Sequence, residues 1–307
     1  MNDSIHAADL TGANAIPADW LVPDWPAPAQ VHALCTTRSG GVSTGPFASL
    51  NPSLNVGDDA VKVLQNRELL ALAMRALEAK NTQNSGAPSA AAAASAAQPL
   101  FLQQVHAVGV KLIDGCSPAG QHADASVTAT PGVGCAIMVA DCLPVMFSHA
   151  TLPVVGAAHA GWRGLVGQGG VGVLETCFDA YADLVRQHVG AATSTADIAA
   201  NTLAWLGPCI GQPVFEVGAE VREAFVAHDA GAGALFADGK PGKFYANLSG
   251  LARRRLAARG ITQLYGNDGT EAWCTVSNPS RYFSHRRDGT PSGGTGRLVV
   301  CVWTSAS

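Results

Sequence analysis

The chain has 307 residues, of which 48% are hydrophobic and 14% charged, and a formal net charge of −4. That length supplies one large domain or two ordinary ones with a sizeable core, and the composition excludes intrinsic disorder. The slight acidity gives no basis for nucleic acid or an anionic membrane as partner, and no run of roughly 18 apolar residues offers a membrane span. Residues 1–20 lack the basic and apolar regions of a secretory signal, so they read as a flexible leader and the location as cytoplasmic. Eight cysteines are scattered without a C-x-x-C pair, which fits reduced thiols. Cys35, Cys135 and Cys301 lie in apolar runs as small hydrophobes, whereas Cys142, Cys209 and Cys274 stand at turns.

After the leader, VHALCTT (31–37) reads as a strand, and RSGGVSTGPFASLNPSLNVGDD as a long packed loop holding Arg38, Asn51 and Asn55. Asp58 or Asp59 then caps a helix of about twenty residues, with Leu69, Leu72, Ala73 and Ala76 on one side. Residues 81–99 are Ala- and Ser-rich with no apolar face, and read as an exposed low-complexity insertion. LFLQQVHAVGVKLI (100–113) is strand-like. GCAIMVADCLPVMFSHATLPVVGAAHAGWRG (134–164) contains two apolar runs ending at Cys142 and His159, the second half forming a hairpin that turns at His149–Leu152. A helix follows with Leu174, Phe178, Tyr181 and Val185 at 3–4 spacing. TLAWLGPCIG is a strand, VGAEVREAFVAHD a short helix, 231–242 a Gly-rich gap, and LSGLARRRLAARG a helix with a basic outer face. ITQLYG, AWCTV and GRLVVCVW read as the last strands, with the polar loop SHRRDGTPSGGTG between the final two. Loosely alternating strands and helices with hairpin joins fit an α+β fold with a mixed sheet.

Three constellations carry chemistry. His106, Cys142 and His159 offer two imidazoles and a thiolate, a good zinc set with a fourth position open, although their spacings match no local zinc signature. Alternatively, Cys142 is a nucleophile with His159 or His106 as base and Asp141 or Asp124 as orienter. The run WRGLVGQGG combines Arg163 with a Gly-rich helix entry, suited to an oxyanion or simply a structural turn. Arg38, Arg286, Arg287 and Arg297 stand in other Gly-rich turns and together can build an oxyanion pocket. Asn51, Asn55, Trp162, Tyr245 and Phe283 are of the types that bind a purine by stacking and amide hydrogen bonds.

The segments TTRSGGVSTGPFASLN, NVGDD, QQVHAV, ADASVT, ADCLPV, HAGWRG, LGPCIGQPVFEVG and the late SHRRDG and TGR occur in order from about residue 32 to 303. As a set they resemble the YfiH-like family, whose members are called laccase-domain or polyphenol oxidase proteins, purine nucleoside phosphorylases and peptidoglycan editing factors. The resemblance implies a single α+β domain over 21–307, a layered αββα sandwich with mixed sheets, and zinc held by His106, Cys142 and His159. It also implies phosphorolysis of adenosine, inosine, guanosine and methylthioadenosine, with adenosine deamination. Taken with the constellations above, Cys142, His159, Asp141 and Arg163 are expected to be catalytic, and Arg38, Asn51, Asn55, Trp162 and Arg286 to bind nucleoside and phosphate. The alternatives are an amidohydrolase editing peptidoglycan precursors and a copper polyphenol oxidase (laccase); nine histidines are few for several coppers. His285 stands where an aromatic residue is common in the family, Pro52 and Asn55 alter the segment after SLN, and 81–99 is inserted.

Overall fold

The computed structural model describes residues 16–85, 97–289 and 294–306. The chain begins with β1 (Val31–Cys35), α1 (Ala60–Ser85), β2 (Gln98–Phe101), β3 (Val110–Leu112), β4 (Ala125–Thr128), β5 (Val133–Val139), β6 (Leu143–His149) and β7 (Val155–Ala160). It continues with α2 (Trp162–Val166), α3 (Val173–Val189), α4 (Thr195–Ala200), β8 (Thr202–Leu206), β9 (Glu216–Gly218) and α5 (Ala219–Val226). Then come β10 (Phe236–Asp238), β11 (Lys243–Ala246), α6 (Leu248–Ala258), β12 (Gln263–Gly266), α7 (His285–Asp288) and β13 (Leu298–Thr304).

Two mixed sheets stack face to face, in strand orders β1-β13-β5-β2 and β12-β8-β6-β7-β4-β3. The alternation within β13 explains the layering. Val300 and Val302 enter the space between the sheets with Ile137, Val139, Met146, Val155, Ala157 and Trp205. Val299, Cys301 and Trp303 point the other way, against Leu70, Met74 and Leu77 of α1. On the far side, Val127, Val145, Phe147 and Ala158 pack on Leu174, Phe178, Tyr181 and Val185 of α3 and on Leu251 and Ala252 of α6. The result is the expected αββα sandwich, with the central strands of both sheets buried on both faces. No helix among the described residues is long and apolar enough to cross a membrane.

Several expectations need correction. Ile16 and Trp20, assigned to the leader, pack against the α1 layer; residues 1–15 lie outside the described residues. Of the expected insertion, 81–85 complete α1, Ala97 is buried and Gln98 begins β2; 86–96 lie outside the described residues. The buried stripe of α1 runs through Val63, Leu70, Ala73, Met74 and Leu77, with Leu69, Leu72 and Ala76 only partly covered. The expected cap does hold, with Asp59 as the one of the two candidates that accepts from Val61 N, at 2.8 Å, while the Asp58 carboxylate is taken by Ser43 and Asn51. The stretch 100–113 is two short strands separated by a turn. AWCTV is a 3₁₀ turn followed by a single bridge from Cys274 to Cys209, and the Gly-rich gap contains β10 of a small third sheet, β10-β11-β9. The face of α6 is not wholly solvated: Arg255 reaches Glu175 at 2.9 Å, both largely buried.

Candidate metal centre

The β6–β7 hairpin builds half of the site. Pro144 pairs with His159, so Cys142, just before β6, meets the end of β7 across the hairpin. His159 shares parity with Val155 and Ala157 and therefore faces the inter-sheet side. The third donor, His106, comes from the turn between β2 and β3, held to β5 by Gln104, whose side-chain amide pairs with both N–H and C=O of Met138 at 2.8 Å. His106 (φ 60°) and Asp141 (φ 89°) are the two non-glycine residues with left-handed backbone among the described residues. Strained backbone of this kind is held only where the surroundings over-determine it.

Ligand atoms of His106, Cys142 and His159 all lie within 4.8 Å of one another. The Cys142 sulfur is 3.8 Å from His106 Nε2, and the two imidazoles meet edge to face at 4.7 Å. His159 is buried, Cys142 half-buried and His106 exposed, so the group is open on one side. Gly161 is required here: a Cβ would come 2.9 Å from the Cys142 sulfur and 3.2 Å from the His106 ring.

Asp124 organises this group. Fully buried, its carboxylate accepts His159 Nδ1 at 2.8 Å and the backbone N–H groups of Val105, His106 and Ala107 at 3.2, 2.9 and 2.8 Å. It thereby fixes the imidazole of one donor and the backbone of another, leaving His159 Nε2 for the centre. Burial opposes ionisation of Asp124, but those hydrogen bonds and the His159 charge hold its carboxyl below the usual carboxylate range. Burial likewise opposes ionisation of Cys142, yet the His159 charge and hydrogen bonds from both histidines bring the thiol down to about 6. Burial disfavours the His159 imidazolium, and the Cys142 thiolate and Asp124 outweigh it, raising it to about 9. Without metal, Cys142 and His159 form a thiolate–imidazolium pair; as metal donors they would join His106 in offering one soft anionic sulfur and two imidazoles. The donor chemistry and the buried orienting carboxylate fit a divalent metal ion.

The group opens into a cavity of about 560 Å³. Of the residues singled out from the sequence, Trp162, Asn55, Arg163, Arg286 and Asp141 line it. Although it lines the cavity, Asp141 is a brace: its carboxylate accepts Thr275 Oγ1 and Arg286 N, both at 2.6 Å, and orients no site histidine. Other expected residues are placed elsewhere. Arg38 donates to the carbonyls of Ala48 and Pro279 and lies over the Phe283 ring, away from the cavity. Asn51 is fully buried and spends its amide on Ser53, Asp58 and the backbone N–H of Arg297. Arg287 holds the carbonyls of Thr275, Val276 and Tyr282, and Phe283 is core. The Gly-rich entry to α3 is closed from within, because Glu175 accepts Gly172 N and is paired to Arg255. Sequence reasoning did not pick out Phe215, Ile210 and Met138, apolar wall residues that no local pattern separates from core.

An αββα sandwich with a His–Cys–His donor group at one end of its central hairpin defines a metal-competent globular protein with a cavity beside the donors. Residues 32–305 match the family described as multi-copper polyphenol oxidoreductase laccase, and the chain belongs to that YfiH-like family. It is 42% identical to a purine nucleoside phosphorylase of Pseudomonas aeruginosa over 285 residues, 92% of this chain and 98% of the relative. It is 41% identical to purine nucleoside phosphorylase YfiH of Escherichia coli over 283 residues, again covering 92% and 98%. The crystal structure of a Neisseria meningitidis protein of the DUF152 family superposes with a TM-score of 0.70 at 36% identity, covering 94% of this chain and all of that one.

Proposed function

We propose that this protein is a zinc-dependent purine nucleoside phosphorylase, acting on adenosine, inosine, guanosine and methylthioadenosine, with adenosine deaminase activity. The observation that carries the reading is one group of three metal donors opening directly onto a cavity flanked by arginines. The names of the relatives support the reaction class. His106, Cys142 and His159 would hold the ion, which when bound supplies Lewis acidity toward an oxygen nucleophile. The volume suits a nucleoside, with Trp162, Phe215 and Ile210 offering apolar surface to a purine and Asn55 an amide for its edge. Arg163, Arg286 and Arg297 provide positive charge for phosphate, whose oxygen displaces the purine from ribose C1′. His285 adds a cavity imidazole outside the donor group, a side chain of the type that exchanges a proton with a departing base or attacking water. In the deaminase reaction water adds at purine C6 and ammonia leaves. The reading includes a cytoplasmic location and small-molecule partners, in keeping with eight unpaired cysteines and the absence of a basic surplus.

The laccase description sits poorly with this geometry. Multicopper oxidation needs several linked copper sites, and the described residues contain one group of three or more candidate donors. One observation favours a second reading: Asp124, His159 and Cys142 form a carboxylate–imidazole–thiol series, which suits a cysteine amidohydrolase acting on peptidoglycan precursors. The test is to measure bound metal in the pure protein, then incubate it with adenosine with and without phosphate. Adenine and ribose-1-phosphate formed only with phosphate, and inosine formed without it, are the expected products. Neither product from zinc-loaded protein refutes the purine reading, and hydrolysis of a muropeptide precursor by metal-free protein establishes the second. Cys142→Ala is expected to lose both metal and purine turnover; full activity in that variant refutes the assigned centre.

A further inference from the structure

The three cavity arginines are not equivalent. Arg286 directs Nη1 and Nη2 to the carbonyls of Val214 and Glu216 at 3.4 and 3.2 Å, and Asp141 holds its backbone. Arg163 is exposed and lies over the Trp162 ring, 4.6 Å from its centroid. Arg297 is half-buried and set from several sides. Its N–H donates to Asn51 Oδ1 at 3.1 Å, and Asn51 is itself anchored to Ser53 and Asp58. The preceding Gly296 lies against Phe283 so closely that a Cβ would meet the ring at 2.6 Å. The guanidinium donates through Nη1 to the carbonyls of Thr295 and Gly296 at 2.9 and 3.1 Å. Among the described residues no hydrogen bond uses its Nε or Nη2. Burial pushes its pKa down, with Cys142 and Asp141 nearby pulling it up. A partly desolvated guanidinium on a cavity wall, with two neighbouring nitrogens unspent, is a forked donor for a tetrahedral oxyanion.

We propose that Arg297 is the residue that holds the oxyanion co-substrate, with Asn51 as the positioning residue that fixes its backbone. The co-substrate is inorganic phosphate if the phosphorolysis proposed above is correct, and the inference rests on that reading. In the reaction a phosphate oxygen bonds to ribose C1′ as the C1′–N9 bond breaks. The purine departs with that electron pair, and the proton lost by the attacking phosphate ends on the purine.

The test is calorimetric titration of inorganic phosphate into the zinc-loaded full chain in chloride buffer, with thermal unfolding recorded for each variant. Wild type is expected to bind phosphate, and Arg297→Gln to bind it at least about tenfold more weakly at a similar melting temperature. The KM for phosphate rises by the same factor, more than the KM for nucleoside. Arg297→Lys keeps the charge but loses the fork and is expected to fall between the two; should the Gln variant not fold, the Lys variant decides. Phosphate binding within about twofold of wild type in a folded Arg297 variant overturns the assignment. So does a tenfold loss in Arg163→Gln or Arg286→Gln with none at Arg297. Phosphate binding that depends on Arg297 in a protein without phosphorolysis supports the anion site and overturns the phosphorylase reading instead.

Discussion

Replacing Asp124 by Asn probes the group that ties the donor set to the fold. The carboxylate takes four donors, two on each oxygen: His159 Nδ1 and His106 N on one, Val105 N and Ala107 N on the other. An amide of the same shape presents one acceptor oxygen and turns an NH₂ group toward the remaining two. Each buried donor left without an acceptor costs about 1–3 kcal/mol, so metal-free Asp124→Asn is expected to be about 2–6 kcal/mol less stable. Because the His159 ring also loses its anionic partner, zinc affinity is expected to fall about 10–100-fold. The folded-state pKa of Asp124 lies below its ordinary value, so its contribution is present above the unfolded pKa of about 3.9 and is lost as pH falls through the folded value. The gap between wild type and variant is therefore full at pH 7 and narrows in acid below about pH 4. Denaturant unfolding of metal-free protein at several pH values gives the first quantity, and competition with a chromophoric chelator the second. A metal-free stability within about 0.5 kcal/mol of wild type, together with unchanged zinc affinity, would refute the role given to Asp124.

Two further outcomes follow from the same site. Gly161→Ala fits its backbone (φ −64°), but the new Cβ lies against the Cys142 sulfur and the His106 ring. Zinc affinity is expected to drop about tenfold while the melting temperature of metal-free protein shifts by only a few degrees; equal chelator competition curves would count against the crowding argument. In metal-free protein Cys142 is expected to react with iodoacetamide at half its maximal rate near pH about 6, with zinc protecting it. Peptide mapping by mass spectrometry measures both, and a midpoint near the free-thiol value of about 8.5 would contradict the thiolate–imidazolium pair.

Much of the architecture was legible because period decided it. The β6–β7 hairpin and the buried stripe of α3 follow from alternation and 3–4 spacing, and both sit where expected. The short β10 was hidden in a Gly-rich segment and β11 directly after it, since strands that small carry too few residues to set a pattern. The helix face of α1 was misread by one step because Asn66, polar but fully buried, sits in its apolar stripe and bonds to Ser43 and Asn51. At the site, residue types named the three donors, but not the support around them. Chain order left Asp141 and Asp124 open as the orienter; the contact of His159 is Asp124, a neighbour across the β4–β7 pairing that spacing does not reveal. Asn51 and Arg38 have the chemistry of ligand-binding residues, and the long loop consumes that chemistry in holding itself and Arg297.

The pairing of Pro144 with His159 has a consequence for how such a centre tolerates change. Cys142 and His159 meet at the open end of a hairpin whose opposite end is the turn after His149, where the imidazole Nδ1 accepts the N–H groups of Thr151 and Leu152. The number of residues between the two donors is thus set by that distant turn and not by the geometry around the ion. Lengthening the 150–153 segment would change the interval in the chain while leaving the donors in place, whereas a one-residue slip of the ladder would turn His159 to the opposite face. A centre assembled across a ladder in this way leaves no fixed spacing for a motif to record.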